Sequence, residues 1–162
     1  MKKIFVVLVL AAFVTGGAFA QISMSAGGGA QFDMSFANGA SAMSVGGFIF
    51  FDIEYAEVNV DFSYGLTGGL LQLGISALGK YPFELGVITI SPLLGAEYKL
   101  VLKAMDASQL GILAGACLDY PLTYYLYLRG EVLFNFQMPP GFNFGAGFGY
   151  GPRIKIGVGY MF

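Results

Sequence analysis

Apolar and polar positions alternate along this chain with period two. From Arg153 to the end, Ile154, Ile156, Val158, Tyr160 and Phe162 share one phase, and Arg153, Lys155, Gly157, Gly159 and Met161 share the other. Successive side chains of a strand point to opposite faces, so the segment has one apolar face and one face of cations and glycines. Seven earlier segments repeat the pattern, at about 22–32, 43–55, 58–64, 71–78, 86–100, 110–120 and 124–136. In the second, Val45, Ile49 and Phe51 oppose Phe48, Phe50, Asp52 and Glu54. In the third, Val58, Val60 and Phe62 oppose Asn59, Asp61 and Ser63. Pro92 cannot donate to a ladder, which leaves the fifth segment open to a bulge and a change of phase.

The punctuation sorts the connections. Ala56-Glu57, the stretch at Tyr81-Pro82 and Pro121 mark tight turns after the second, fourth and sixth segments. The connections after the first, third, fifth and seventh are longer, with 33–42 and 137–149 as loops without a recognisable ligand motif. The apolar phase of the last segment reaches back through Phe148 and Phe144 to Phe142, more than the roughly 9 to 11 residues of a tilted spanning strand. An all-β fold follows: an eight-stranded antiparallel up-and-down barrel.

Composition decides which face meets solvent. A soluble sandwich or lipocalin-like barrel would bury the apolar phase and expose the other, yet that other set is rich in Gly and Ser rather than dense in Lys and Glu. The chain is 56% hydrophobic, 16% aromatic and only 11% charged, with mean hydropathy +0.70, against roughly 25% charged residues in ordinary globular proteins. Hydrophobicity dispersed in alternation is how a transmembrane barrel hides its signal. Met1-Lys2-Lys3, the uncharged run Ile4 to Val14 and Ala18-Phe19-Ala20 together read as a secretory signal peptide over 1–20, the run being too short for a membrane helix. The remaining 21–162 form one domain with a formal charge of 6 − 10 = −4. Nothing in it suggests nucleic acid.

Nearly every charge within a segment lies in the inward phase, including Glu97, Lys99 and Asp119. We expect a lumen network of Asp52, Glu54 and Asp61 with Arg129, Arg153 and Lys155, and Glu131 facing one of the last two. Pairing across Ala56-Glu57 would set Asp52 opposite Asp61, unfavourable unless a cation lies between them. The network plugs the barrel and fixes its register, since buried ions survive only when paired. An ion-pair gate over a narrow pore is the functional alternative. Phe48, Phe50, Leu93 and Leu113 form a possible apolar lumen patch opposite the charges.

The export signal, the eight alternating segments and the terminal Tyr160-Met161-Phe162 resemble the small outer-membrane barrels of the OmpA, OmpX and OmpW type, over essentially all of 21–162. The resemblance implies an integral protein of the outer membrane of a double-membraned bacterium, monomeric and surrounded by lipid. It also implies that Ile156, Val158, Tyr160 and Phe162 carry the signal read by the barrel assembly machinery. A structural or surface-interaction role, or alternatively an OmpW-like conduit for small apolar molecules, is the expectation. Enzymatic relatives of the same membrane use a histidine, and this chain has none, which removes the commonest general base. With no His and a single Cys, Cys117, only carboxylates remain for a metal, and Gly27-Gly28-Gly29 precedes no helix that could hold a phosphate. No cofactor is expected.

Overall fold

The computed structural model describes residues 23–37, 39–102, 108–138 and 148–162. The strands are β1 (Met24–Ala37), β2 (Ala40–Ile53), β3 (Ala56–Gly65), β4 (Leu71–Lys80), β5 (Phe83–Leu85), β6 (Ile88–Val101), β7 (Gln109–Pro121), β8 (Leu126–Met138) and β9 (Gly149–Met161). β4 and β5 are one stave. Lys80 pairs with Leu93 and Phe83 with Ile90, the same register on both sides of a break at Tyr81-Pro82. Pro82 and Pro92 both lack an N–H; in this register they fall opposite Ser91 and Tyr81, at the adjacent steps where the ladder is interrupted. The staves run in the order β4-β3-β2-β1-β9-β8-β7-β6, every pair antiparallel, and β4 pairing with β6 closes the ring. The fold is therefore the eight-stranded antiparallel up-and-down barrel that the alternation predicts. Closure leaves no open sheet edge.

Several boundaries differ from expectation, each for a local reason. The β2–β3 turn is Glu54-Tyr55, with Ile53 paired to Ala56. Val58 resumes the apolar phase from either turn position, so phase alone could not place the turn. Asp52 consequently faces Glu57, and Asp61 faces Phe48. The tight turn expected at Tyr81 falls at Gly86-Val87, between the paired Leu85 and Ile88. Gly86 takes φ +67° there, a conformation a two-residue hairpin requires and that glycine adopts freely. The stretch 33–42 is not a loop: β1 and β2 pair out to Ala37 and Ala40, with Gly39 at φ +77° in the turn. Pro92 does not shift the phase of β6, whose odd residues stay inside from Ser91 to Val101. β9 begins at Gly149, and Phe142 and Phe144 lie outside the described residues.

The two faces of the wall are chemically opposite. Outward strand positions carry Ile, Val, Leu, Phe, Tyr, Met, Ala, Gly and Pro, with Ser41 beside the β1–β2 turn as the exception. Ile156 and Val132, midway along β9 and β8, are each 61% exposed. Outward aromatic rings meet near both ends. Tyr55, Tyr81 and Phe83 follow one another at 6.2 and 5.0 Å at the turn end, where Tyr125 also stacks on Tyr160 at 6.0 Å. Phe36, Tyr150, Phe134 and Phe136 form the corresponding group at the loop end.

Candidate functional site

Every charged residue of the described strands falls in the inward phase, and all but Glu84, exposed at the turn-end rim, are held in the lumen; among the described residues Glu54 alone sits in a turn. Arg129, Arg153 and Lys155 are fully buried, as are Glu57 and Glu131 to within 1%. Wall glycines make the space. A Cβ on Gly159 would lie 2.2 Å from the Tyr127 ring and one on Gly27 2.6 Å from the Phe50 ring, so glycine on β9 and β1 lets these rings pack into the lumen beside Arg129.

At the turn end, Arg129 on β8 gathers three carboxylates. Its Nη2 donates to Asp52 at 2.7 Å, its Nε and Nη2 hold Asp119 in a fork at 2.7 and 2.8 Å, and its Nη1 donates to Glu57. Asp52 and Glu57 are a like-charge pair directly opposite each other, and the guanidinium bridges them. Phe50 at 4.4 Å and Tyr127 at 5.3 Å face the same cation. The Tyr127 hydroxyl meets the Ser25 hydroxyl at 2.6 Å. Lys80, from the end of β4, donates to Asp52.

Arg153 on β9 organises the layer towards the loop end. Nη1 and Nη2 clamp Glu97 in a two-point contact at 2.6 and 2.9 Å, Nε donates to Asp33, and Asp61 lies 3.5 Å away. Lys155 contacts Asp61 at 2.9 Å and Glu131 at 3.9 Å, with its ammonium 4.7 Å from the Phe48 ring centre. Asn135 donates to Glu97 at 3.0 Å, and Lys99 stands 3.9 Å from the same carboxylate. The Arg153–Glu97 clamp joins β9 to β6, and Arg129–Glu57 joins β8 to β3. Both tie staves that are not neighbours in the wall.

The structure thus brings Asp52, Asp61, Arg129, Glu131, Arg153 and Lys155 of the expected network together in two layers. Glu54 is not among them. It occupies the β2–β3 turn at the mouth, where its hydrogen bond to Tyr55 and its like charge raise the Tyr55 phenol above its ordinary value. Glu57, the second residue of β3, takes the inward place. Asp33, Glu57, Lys80, Glu97, Lys99 and Asp119 complete the layers and were missing from the expected network. Each lies in an inward phase readable from its neighbours, but Asp33, Glu57 and Lys80 stand at or beside positions whose punctuation reads as a connection.

The expected apolar patch separates into two clusters. Phe48 and Phe50 pack with Tyr127, and Leu93 and Leu113 pack with Leu78, Cys117 and Leu133. All are buried. Ile156, Val158 and Tyr160 lie in the outward phase of β9, and Phe162 follows it, exposed at the turn end.

No protein-family model and no curated protein matches the chain. Solved structures do match its fold. Neisserial surface protein A (NspA) aligns with TM-score 0.56 at 15% identity, over 86% of this chain and 97% of that one. The attachment invasion locus protein Ail of Yersinia pestis, solved with the heparin analogue sucrose octasulfate, aligns with TM-score 0.53 at 11% identity, over 87% and 99%. The outer membrane protein OprG of Pseudomonas aeruginosa aligns with TM-score 0.52 at 16% identity, over 87% and 96%. The chain has the fold of these small eight-stranded outer-membrane barrels.

Proposed function

We propose that this protein is an integral outer-membrane barrel whose lumen is a filled ionic plug, so that it acts as a structural or surface-interacting element of the cell envelope rather than as a pore or an enzyme. The observation that carries the reading is the inversion of the barrel: described strands place their charges inside and present an apolar wall outside. An arginine or lysine facing lipid at mid-depth would be unfavourable by about 2–4 kcal/mol, and in water a wall this apolar would aggregate. The aromatic groups at both ends match the girdles of membrane barrels. Under this reading residues 1–20 are an export signal, the short turns face the periplasm, and Ile156, Val158, Tyr160 and Phe162 present the assembly signal.

The plug is favoured over an OmpW-like conduit by the packing of the apolar lumen side chains, which fill two separate clusters instead of lining a path. It is favoured over a gate by the two-point clamps on Glu97 and Asp119, which hold the guanidinium groups more firmly than a single contact would. The test is conductance. The mature chain, refolded into vesicles and checked for a shift in gel migration on boiling, should give no steady channel in planar bilayers. A reproducible open pore would refute the plug.

A further inference from the structure

We infer that the turn end of the barrel binds a small organic cation through a primary ammonium group. A cavity of about 280 Å³ opens there above the Arg129 layer. Asp52, Glu54, Glu84 and Asp119 line it with one cation, Lys80, a formal balance of 1 − 4 = −3; counting Arg129 beneath the floor, it is −2. Acidity alone would say little, but the interior adds two independent features. Lys80 places its own ammonium on Asp52, so a primary ammonium already occupies the inner wall. Ser91 is fully buried, faces the cavity, and its hydroxyl has no hydrogen-bond partner among the described residues; Asp52 Oδ1 is in the same position. A buried acceptor without a donor is costly unless something donates to it.

The choice of an organic ammonium over a metal ion follows from the donor set and the walls. Among the described residues no three acids converge closely enough to hold a metal. The carboxylates are spread around a cavity far wider than one ion, and Val87 and Met161 supply apolar wall for an alkyl stem. An ammonium donates up to three hydrogen bonds, matching the unpaired Asp52 and Ser91 oxygens. A second ammonium at the other end of a short alkyl chain would reach the half-buried Glu54 and the exposed Glu84 at the rim. A short aliphatic diamine therefore suits the cavity in charge, shape and donor count.

The experiment needs a folded barrel but no bilayer, so it stands apart from the test of the plug. Full-length barrel refolded in zwitterionic detergent is titrated with 1,4-diaminobutane at low ionic strength by calorimetry. Saturable binding at one site per chain is expected. Glu54→Gln with Glu84→Gln, a pair at the exposed rim that leaves both ionic layers intact, should weaken it about tenfold. Lys80→Met should strengthen it, because a competing ammonium is gone. Binding that does not saturate, that is unchanged in the rim variant, or that magnesium chloride reproduces at the same concentration would overturn the proposal.

Discussion

Replacing Arg129 with methionine tests whether the ionic layer holds the barrel together. Methionine keeps most of the side-chain volume and its contact with Phe50 and Tyr127, so the perturbation is chiefly the loss of charge. Its three carboxylate partners are not left in equal difficulty. Asp52 retains Lys80, and Asp119, whose side chain is 17% exposed, is nearest to water at the mouth. Glu57 is fully buried and keeps the Asn59 amide at 2.7 Å, a neutral donor facing a full charge. The expected cost is thus that of one uncompensated buried charge, about 3–5 kcal/mol. Unfolding in urea from phosphatidylcholine vesicles, followed by the fraction that migrates as the folded form on an unboiled gel, measures it; the chain has no tryptophan to report by fluorescence. Adding Glu57→Gln to Arg129→Met removes the stranded charge and should restore more than half of the loss. A single variant within about 1 kcal/mol of the parent, or a double variant no better than the single, would refute the assignment, since coupling in such a cycle is the signature of a direct pair.

Three further outcomes follow from the wall. Ile156→Lys, at a mid-strand position facing outward, should lower stability in vesicles by about 2–4 kcal/mol while leaving the fold in detergent intact; equal stability in vesicles would count against a lipid-facing wall. Gly159→Ala should destabilise by about 1–3 kcal/mol, the reverse of the gain alanine usually gives in a strand, because the new methyl would meet the Tyr127 ring. Truncating Tyr127 to alanine in the same chain should shrink that penalty, as read by the same urea titration. Phe162→Ala should slow barrel assembly in cells, seen as accumulating heat-unmodifiable protein, yet leave folding of the purified chain into vesicles at the parental rate.

The architecture was legible because strand phase is a local property and the membrane makes it strict. A one-residue slip would move every charge of a stave into lipid, so Arg153 and Lys155, or Asp52 and Asp61, declare the inner face wherever they occur. Turn positions were less legible because phase is blind to them. Moving the β2–β3 turn from Ala56-Glu57 to Glu54-Tyr55 keeps Val58 outward and Asn59 inward, but it exchanges Glu54 for Glu57 in the lumen and replaces Asp61 by Glu57 as the partner of Asp52. The same blindness hid Lys80 behind the Tyr81-Pro82 break and Asp33 behind an apparent loop. What fixed these positions is the closed ring: once β4 meets β6 and β1 meets β9, each inward acid must share a layer with a cation on another stave. The acid pair predicted across this turn, Asp52 with Asp61, does not form; Asp52 faces Glu57 instead, and Arg129 is the cation between those two. Long-range pairing of this kind depends on the barrel's circumference, which no single segment encodes.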